Sequence, residues 1–201
     1  ATVVRAVPIA LAGLAGVLSE RVAVINIGIE GMLLVGAFAG AVFGSLFGGV
    51  LGLLLAVFVG ALFGLLLAVL VITYRVDQII AGVAINILAL GTTSFLTSHL
   101  LKSHPELNDA PIFRPIKIPF LSDLPVIGPT FFQHNFFVYG ALLLIIASTF
   151  YLFKTGIGLR LRAVGEHPKA ADTLGVNVLR LRYLNVTLAG MVAGFGGAWF
   201  T

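Results

Sequence analysis

The chain has 201 residues, of which 59% are hydrophobic and only 10% are charged, and its mean hydropathy is +1.11. Soluble domains carry about 25% charged residues, so this composition excludes a soluble globular protein and indicates an integral membrane protein. The sequence has no cysteine, which excludes disulfides, metal thiolates and thiol catalysis within it. Its formal net charge is +4, but the cations cluster at the ends of apolar runs, so nucleic acid is not expected as a partner.

The first apolar run covers residues 1–19 and has a single charge near its start. Such a run also fits a signal peptide, but Glu20 and Arg21 stand where a small-residue cleavage site is required. We therefore predict a first membrane span, in which Pro8 is tolerated near the start. The sequence begins without Met and stops at Thr201 inside an apolar run, so both ends are expected to be incomplete.

The next apolar run, residues 31–74, contains 44 residues without a charge. As one helix it would be about twice as long as the roughly 30 Å hydrocarbon core of a bilayer, so it must form two spans. The turn-like break is at residues 45–49, where we place the reversal. Small residues recur at every fourth position from residue 36 to residue 64, and such a ridge predicts close helix packing within the membrane.

The remaining chain alternates between further apolar runs and two long polar segments. A short polar turn at residues 75–77 precedes a fourth span at 78–101. Residues 102–135 hold six of the eight prolines, which block a regular helix and predict a long outer loop. A fifth span is expected at 136–153, and a sixth begins at residue 183. Together these segments predict an all-α fold, a polytopic transmembrane helical bundle with about six spans.

The most basic segment is residues 154–182, which contains six of the twelve Lys and Arg residues. Cations near span ends stay on the cytoplasmic side, so this segment is predicted to be a cytoplasmic loop, with 102–135 on the opposite side. Within it, residues 167–175 are predicted to form a short helix, with Pro168 at its first position and Gly175 just past its end. So short and polar a helix requires a partner surface; the alternative is a solvated connector.

Residues 158–176 (GLRLRAVGEHPKAADTLGV) resemble the cytoplasmic coupling loop of ABC importer permeases of the branched-chain amino acid, ribose and nucleoside type. Within this segment Ala170, Ala171 and Gly175 fit the looser importer pattern E-A-A-x-x-x-G. Here Lys169 replaces the glutamate of that pattern, and the hydrophobic-Pro element that follows it is missing.

Two further segments resemble the same family and favour its nucleoside-type members. Residues 19–34 (SERVAVINIGIEGMLL) are similar to a signature of nucleoside-type permeases. Residues 74–82 (YRVDQIIAG) together with Asn86 resemble the next cytoplasmic turn and span of these proteins. The three segments occur in family order, and the resemblance covers most of residues 1–201, which are expected to form one transmembrane permease domain.

The resemblance implies a permease subunit of an ABC importer that translocates nucleosides by alternating access in the bacterial inner membrane. It implies four kinds of partner: a cytoplasmic ABC ATPase, a second permease subunit that is identical or different, an extracytoplasmic substrate-binding protein, and membrane lipid. ATP is expected to be used by the ATPase, and the sequence lacks the G-x-x-x-x-G-K-[ST] phosphate loop, so no cofactor is expected in this chain. The residues implied to contact the ATPase are Gly165, Glu166, His167, Pro168, Lys169, Ala170, Ala171, Asp172 and Gly175.

Five polar or aromatic residues are candidates for a substrate pathway. Asn26 and Glu30 are four residues apart and are predicted to share one helical face. An acid inside the membrane is a functional candidate, although Glu30 also suits a boundary position at the start of a helix. Asn86 either contacts substrate or bonds between helices. Thr92 and Phe95 suit a ribose hydroxyl and a flat base, or simple packing.

Several alternatives remain open. A ribose or branched-chain amino acid permease of the same family is the nearest, whereas an ion-coupled secondary transporter requires inverted repeats with broken midplane helices, which are not evident. A membrane enzyme requires a catalytic constellation, and neither a Ser-His-Asp pattern nor H-E-x-x-H occurs. The spacing of the outer-loop histidines and acids matches no known ligand pattern, so no metal site is expected; these residues are His99, His104, His134, Glu106 and Asp109.

Overall fold

The computed structural model describes residues 2–104, 107, 116–117 and 133–201. Apart from a two-stranded antiparallel pair, β1 (Ile116–Lys117) and β2 (Gln133–His134), the described elements are helical, which confirms the all-α class. The α-helices are α1 (Thr2–Glu20), α2 (Ile29–Phe47), α3 (Gly49–Ala68), α4 (Gln78–Leu96), α5 (Phe136–Lys154), α6 (Gly156–Glu166), α7 (Pro168–Thr173) and α8 (Val178–Gly197). Single π-helical turns extend α3 to Thr73 and α4 to Leu101.

Four helices in the described part of the chain are long and apolar enough to cross a membrane, namely α2, the extended α3, the extended α4 and α5. The chain is therefore a multi-pass α-helical membrane protein. The other two predicted spans correspond to α1 and α8, which have 19 and 20 residues and pack within the same bundle. Pro8 lies inside α1 without ending it. Their crossing of the membrane stays a prediction.

The reversal between α2 and α3 occurs at Gly48, inside the segment predicted from the sequence. Gly48 has φ of +89°, a conformation that residues with a Cβ rarely adopt. No residue separates it from either helix, since α2 ends at Phe47 and α3 begins at Gly49. The two spans therefore form a tight hairpin.

The predicted ridge of small residues brings the backbones of α2, α3 and α8 into contact. A Cβ added to Gly64 would lie 3.0 Å from the Cα of Gly190, and one added to Gly60 would lie 2.7 Å from the Cα of Gly194. A Cβ on Gly36 would lie 2.6 Å from the carbonyl oxygen of Gly194. This confirms close packing through small residues. It also places α8 at the centre of the bundle, against α1, α2 and α3.

Helix α8 begins at Val178, five residues before the start predicted from the sequence. Its N-terminus is capped by Asn177, whose Oδ1 accepts a hydrogen bond of 2.9 Å from the backbone N–H of Arg180. The predicted start was wrong because Arg180 and Arg182 were assigned to the loop on account of their charge. Both residues lie within the first turns of the helix.

Three connecting segments meet at one end of the bundle, which we call the cytoplasmic end because it carries residues 154–182. The backbone N–H of Ile25 donates a 2.6 Å hydrogen bond to Oε1 of Gln78, which joins the α1–α2 turn to the start of α4. The Nε of Arg182 donates to the carbonyl oxygen of Val22 at 3.1 Å. The meeting of these three segments at one end agrees with the topology predicted from the sequence, in which all three lie on the same side of the membrane. The predicted outer loop, residues 102–135, lies mostly outside the described residues.

Candidate transport pathway and coupling surface

The α1–α2 turn, residues 21–28, holds the first candidate residue, Asn26, in a non-helical position. Because α2 begins only at Ile29, the prediction that Asn26 and Glu30 share a helical face was wrong. Asn26 is buried, and its Nδ2 donates to Ser19 Oγ at 3.4 Å, whereas its Oδ1 has no partner in the described part of the chain. Glu30 is exposed in the first turn of α2, where a carboxylate interacts favourably with the helix N-terminus.

Asn86 connects this turn to α4 through both ends of its amide. Its Oδ1 accepts a 2.8 Å hydrogen bond from the backbone N–H of Gly31, and its Nδ2 donates to the carbonyl oxygen of Ile27 at 3.1 Å. The backbones are close here, since a Cβ on Gly82 would lie 2.9 Å from Cβ of Ile27. Asn86 therefore clamps the start of α2 against α4, which is the interhelical role weighed from the sequence. Contact with substrate stays a prediction.

A groove opens on the outer half of the bundle, between α2, the extended α4 and the residues after α8. Its volume is about 590 Å³, within the range of pockets that hold small ligands. Hydroxyl groups follow one side of α4, with a cation beyond them and aromatic rings across from them. The polar and aromatic residues that line the groove are Phe38, Thr93, Ser94, Thr97, Ser98, Lys102, Phe200 and Thr201.

The hydroxyl groups of this groove differ in whether they already form hydrogen bonds within the protein. Thr93 donates to the carbonyl oxygen of Ala89 at 2.8 Å, and Ser98 donates to that of Phe95 at 2.9 Å. The hydroxyls of Ser94 and Thr97 have no hydrogen-bond partner among the described residues. These two groups are therefore free to bind a polar ligand.

The structure does not bring Thr92 and Phe95 into the groove. Both are exposed, and Phe95 stacks on His99 with 5.1 Å between ring centroids. With 3.6 residues per helical turn, the neighbouring residues of α4 face the groove instead. Neither Ser94 nor Thr97 was among the five candidates predicted from the sequence, although hydroxyl residues recur along the extended α4 at positions 93, 94, 97 and 98.

At the cytoplasmic end, the predicted short helix is present as α7. His167 precedes it, Pro168 is its first residue, and Gly175 follows it with φ of +78°. The structure adds a second helix, α6, where only a basic flank was expected. Thr155 caps α6 by accepting a 3.0 Å hydrogen bond from the backbone N–H of Gly158. Residues 154–182 are therefore largely helical, which corrects their prediction as a loop.

Helix α6 attaches α7 to the α1–α2 turn. Its buried face contains Leu161 and Val164, which are fully buried. Gly165 lies against the turn so closely that a Cβ there would be 2.6 Å from the carbonyl oxygen of Arg21. This contact continues the hydrogen-bonded route through Asn86 into α4, so α7 and α4 are joined by packed elements.

Helix α7 buries one side chain and exposes the others. Ala171 is 3% exposed, whereas Lys169, Ala170 and Asp172 are exposed. Leu174, just after the helix, is 83% exposed, although it was not among the residues singled out from the sequence. An exposed apolar side chain beside exposed charged side chains is the kind of surface that another protein covers.

No group of three potential metal ligands converges among the residues that the structure describes. Of the histidines and acids considered from the sequence, Glu106 and Asp109 lie outside that part of the chain. A separate cavity of about 340 Å³ between α3, α5 and α8 is lined by apolar residues such as Val57, Leu143 and Leu188. It offers no side-chain donor or acceptor.

These elements form a multi-pass helical membrane protein with a hydroxyl-lined groove. All of residues 1–201 match the family model for the branched-chain amino acid transport system permease component, and the chain belongs to this family. No solved structure matches the chain significantly.

Similar proteins include several permeases of ABC transporters. The chain is 45% identical to the guanosine ABC transporter permease protein NupQ of Bacillus subtilis, in a match covering 98% of this chain and 64% of that protein. It is 37% identical to the nucleoside ABC transporter permease protein NupC of Lactococcus lactis, covering 95% and 62%. It is 38% identical to TsgC13 of Haloferax volcanii, provisionally named a glucose ABC transporter permease, covering 98% and 60%. The chain thus spans less than two thirds of these relatives.

Proposed function

We propose that the chain forms the membrane-spanning part of a permease subunit of an ABC importer for nucleosides. The observation that carries this proposal is the 45% identity to a guanosine permease over 98% of the chain, a match that includes both the groove and α7. Transport proceeds by alternating access, and the chain lies in the bacterial inner membrane. The match to a nucleoside permease from a second organism supports the same substrate class.

The groove has the chemistry that a nucleoside requires. The free hydroxyls of Ser94 and Thr97 donate to and accept from ribose hydroxyls. Phe38 and Phe200 line the same groove and provide flat apolar surfaces for a base. Because the groove lies on the outer half of α4, it receives substrate from an extracytoplasmic binding protein.

The residues nearer the cytoplasmic end belong to a later part of the pathway. The unpaired Oδ1 of buried Asn26 accepts a hydrogen bond from substrate once the groove closes outward. Glu30 and Asn86 lie beside the same turn and complete this inner site. Thr92 and Phe95 are exposed on α4 and reach substrate only where the second permease subunit closes the pathway around them.

Energy reaches this pathway through α7. The exposed side of α7 and Leu174 docks on a cytoplasmic ABC ATPase, which uses the ATP, so the chain itself has no enzymatic activity. Movement of α7 passes through α6 to the α1–α2 turn and through Asn86 to α4. A second permease subunit, identical or different, completes the translocation path between the two chains, in contact with membrane lipid.

A sugar is the second candidate substrate. The 38% identity to a provisional glucose permease is close to the identity with the second nucleoside permease. A hydroxyl-lined groove also suits a sugar without a base. The aromatic lining favours a nucleoside, because two rings face the groove from different helices.

Uptake of labelled guanosine tests the proposal in cells that express the full-length chain with its neighbouring subunits. Unlabelled nucleosides are expected to compete, whereas ribose, glucose and leucine are not. If glucose competed and nucleosides did not, the transported substrate would be a sugar and not a nucleoside.

Purification of the complex tests the mechanism. An ATPase subunit should co-purify with the chain. Nucleoside transport by the full-length chain alone, without ATP, would contradict an ABC permease.

A further inference from the structure

A second polar cavity lies at the cytoplasmic end, away from the groove and the inner site. It has a volume of about 510 Å³ and opens between α6, the residues after α7 and the first turns of α8. Its lining combines two cations with apolar side chains. It includes Ile157, Arg160, Leu174, Arg180, Leu181 and Leu184, together with residues 175–177.

The two arginines of this cavity have no partners for their guanidinium groups in the part of the chain that the structure describes. The other arginines of this region are engaged: Arg162 lies over the Phe153 ring at 5.4 Å, and Arg182 donates to the carbonyl oxygen of Val22. No acidic side chain lines the cavity. Arg160 and Arg180 therefore offer two unneutralised cations to one ligand.

The apolar part of the lining continues from these cations along α8, away from the N-terminus of that helix. Along α8, Arg180 lies in the first turn, and Leu181 and Leu184 follow toward the centre of the bundle. Leu184 and Ile157 both line the cavity and are each about half exposed. A ligand that fills the cavity must be anionic at the cytoplasmic boundary and apolar deeper in the bilayer.

We propose that this cavity binds an anionic phospholipid of the cytoplasmic leaflet. Arg160 and Arg180 hold the phosphate, since guanidinium groups match its oxygens in geometry and charge, and basic pockets at this level of a membrane protein suit anionic headgroups. One acyl chain lies along Leu181 and Leu184. Because the lining of the cavity also includes Gly175 and Val176, the lipid lies beside the segment that follows α7.

Native mass spectrometry of the purified full-length chain in detergent tests this proposal. Phosphatidylglycerol and phosphatidylcholine are titrated separately, and the dissociation constant of the first bound lipid is compared. The wild-type chain is expected to prefer phosphatidylglycerol by tenfold or more. The double substitution Arg160→Gln with Arg180→Gln should remove this preference, because interfacial cations contribute to binding of anionic lipid.

Arg75→Gln is the matched control, since Arg75 is an exposed cation at the same end of the bundle and lies outside the cavity. It should keep the wild-type preference. Equal affinity of the wild-type chain for the two lipids, or an unchanged preference in the double variant, would overturn the proposal. So would displacement of phosphatidylglycerol by millimolar inorganic phosphate, which would make the cavity a simple anion site. Loss of ATPase co-purification with lipid preference intact would assign the arginines to subunit docking instead. Each readout is independent of the transported substrate.

Discussion

Two asparagines beside the α1–α2 turn show how position decides the role of an amide inside a membrane protein. Asn86 bonds the carbonyl oxygen of Ile27, just before α2, and the N–H of Gly31, which lies in the first turn of that helix, where N–H groups have no intrahelical partner. Asn26 keeps a buried acceptor without a partner, and an unsatisfied buried group costs about 1–3 kcal/mol. The first arrangement stabilises the fold, and the second leaves an atom free for a ligand.

Asn86→Leu is expected to destabilise the chain by about 1–2 kcal/mol, because two interhelical hydrogen bonds are lost and two backbone groups are left unpaired. The unfolding midpoint of the purified full-length chain in detergent measures this effect. Thr92→Val is the control, since Thr92 is an exposed residue of the same helix and should leave the midpoint unchanged. An Asn86→Leu chain as stable as wild type would show that the clamp is unimportant.

Replacing both Ser94 and Thr97, as Ser94→Ala with Thr97→Val, is expected to weaken nucleoside binding by roughly 5- to 30-fold. Each hydroxyl contributes a hydrogen bond of about 1 kcal/mol, which is about fivefold in affinity. The dissociation constant for guanosine or, in vesicles, the concentration for half-maximal transport is the measurement. Thr149→Val serves as control, because Thr149 is an exposed hydroxyl residue of α5 that lies outside the groove. An unaltered constant in the double variant would exclude this groove as the site.

At the scale of helices, the sequence predicted which segments are helical better than it predicted where each helix begins and ends. Long uncharged runs placed α2 to α5 correctly, because a bilayer demands about 20 apolar residues per span. Helix α6 was missed because it lies at the cytoplasmic boundary, where burial of Leu161 and Val164 depends on which helices cover them. The caps at Thr155 and Asn177 are visible in the sequence and are the signals that would have identified α6 and the start of α8.

The sequence also did not indicate which helix packs against the ridge of small residues. Period-four spacing indicated that α2 and α3 have a small-residue face, but not which helix approaches it. The structure supplies α8, where Gly190 and Gly194 meet Gly60 and Gly64 backbone to backbone. Pairing between distant segments depends on the whole bundle, so local periodicity alone does not specify it.

Gly190→Ala is expected to destabilise the bundle by about 1–3 kcal/mol through overpacking. The added Cβ would lie 2.9 Å from the Cα of Gly64, so α3 and α8 must separate. Gly91→Ala is the matched control in α4, where a Cβ meets nothing within 4 Å and the gain in helix propensity is up to about 1 kcal/mol. Thermal midpoints in detergent should fall for the first variant and hold or rise for the second; equal midpoints would argue against tight α3–α8 contact.

For the whole molecule, the candidate sites divide into a groove on the outer half, an inner clamp and a cytoplasmic projection. The projection was well predicted, because Pro168 and Gly175 mark helix ends whatever surrounds them. The substrate pathway stays a prediction. Its residues Asn26 and Asn86 lie at the same turn, but which hydroxyl residues of α4 face the groove depends on the rotation of that helix. The rotation of α4 about its axis is set by its packing against α2, and the sequence of α4 alone does not determine this packing.

The proposed contact between α7 and an ATPase predicts that changes to the exposed surface of α7 uncouple ATP hydrolysis from transport. Lys169→Glu reverses an exposed charge, and Gly175→Val places a β-branched residue at φ of +78°, where such residues are strained. The double variant is expected to insert and assemble in the membrane, because neither side chain is buried. Nucleoside transport by the reconstituted complex should fall at least tenfold, while ATP hydrolysis continues without stimulation by substrate.

Arg75→Glu is the control for this coupling experiment, since it reverses an exposed charge at the cytoplasmic end but away from α7. It should leave the ratio of nucleoside transported to ATP hydrolysed unchanged. If the α7 variant kept that ratio as well, the projection would be a solvated connector. If hydrolysis and transport fell together with loss of the ATPase from the purified complex, α7 would serve for docking alone. A selective fall of the ratio is the outcome that requires force to pass from α7 through α6 and the α1–α2 turn into α4.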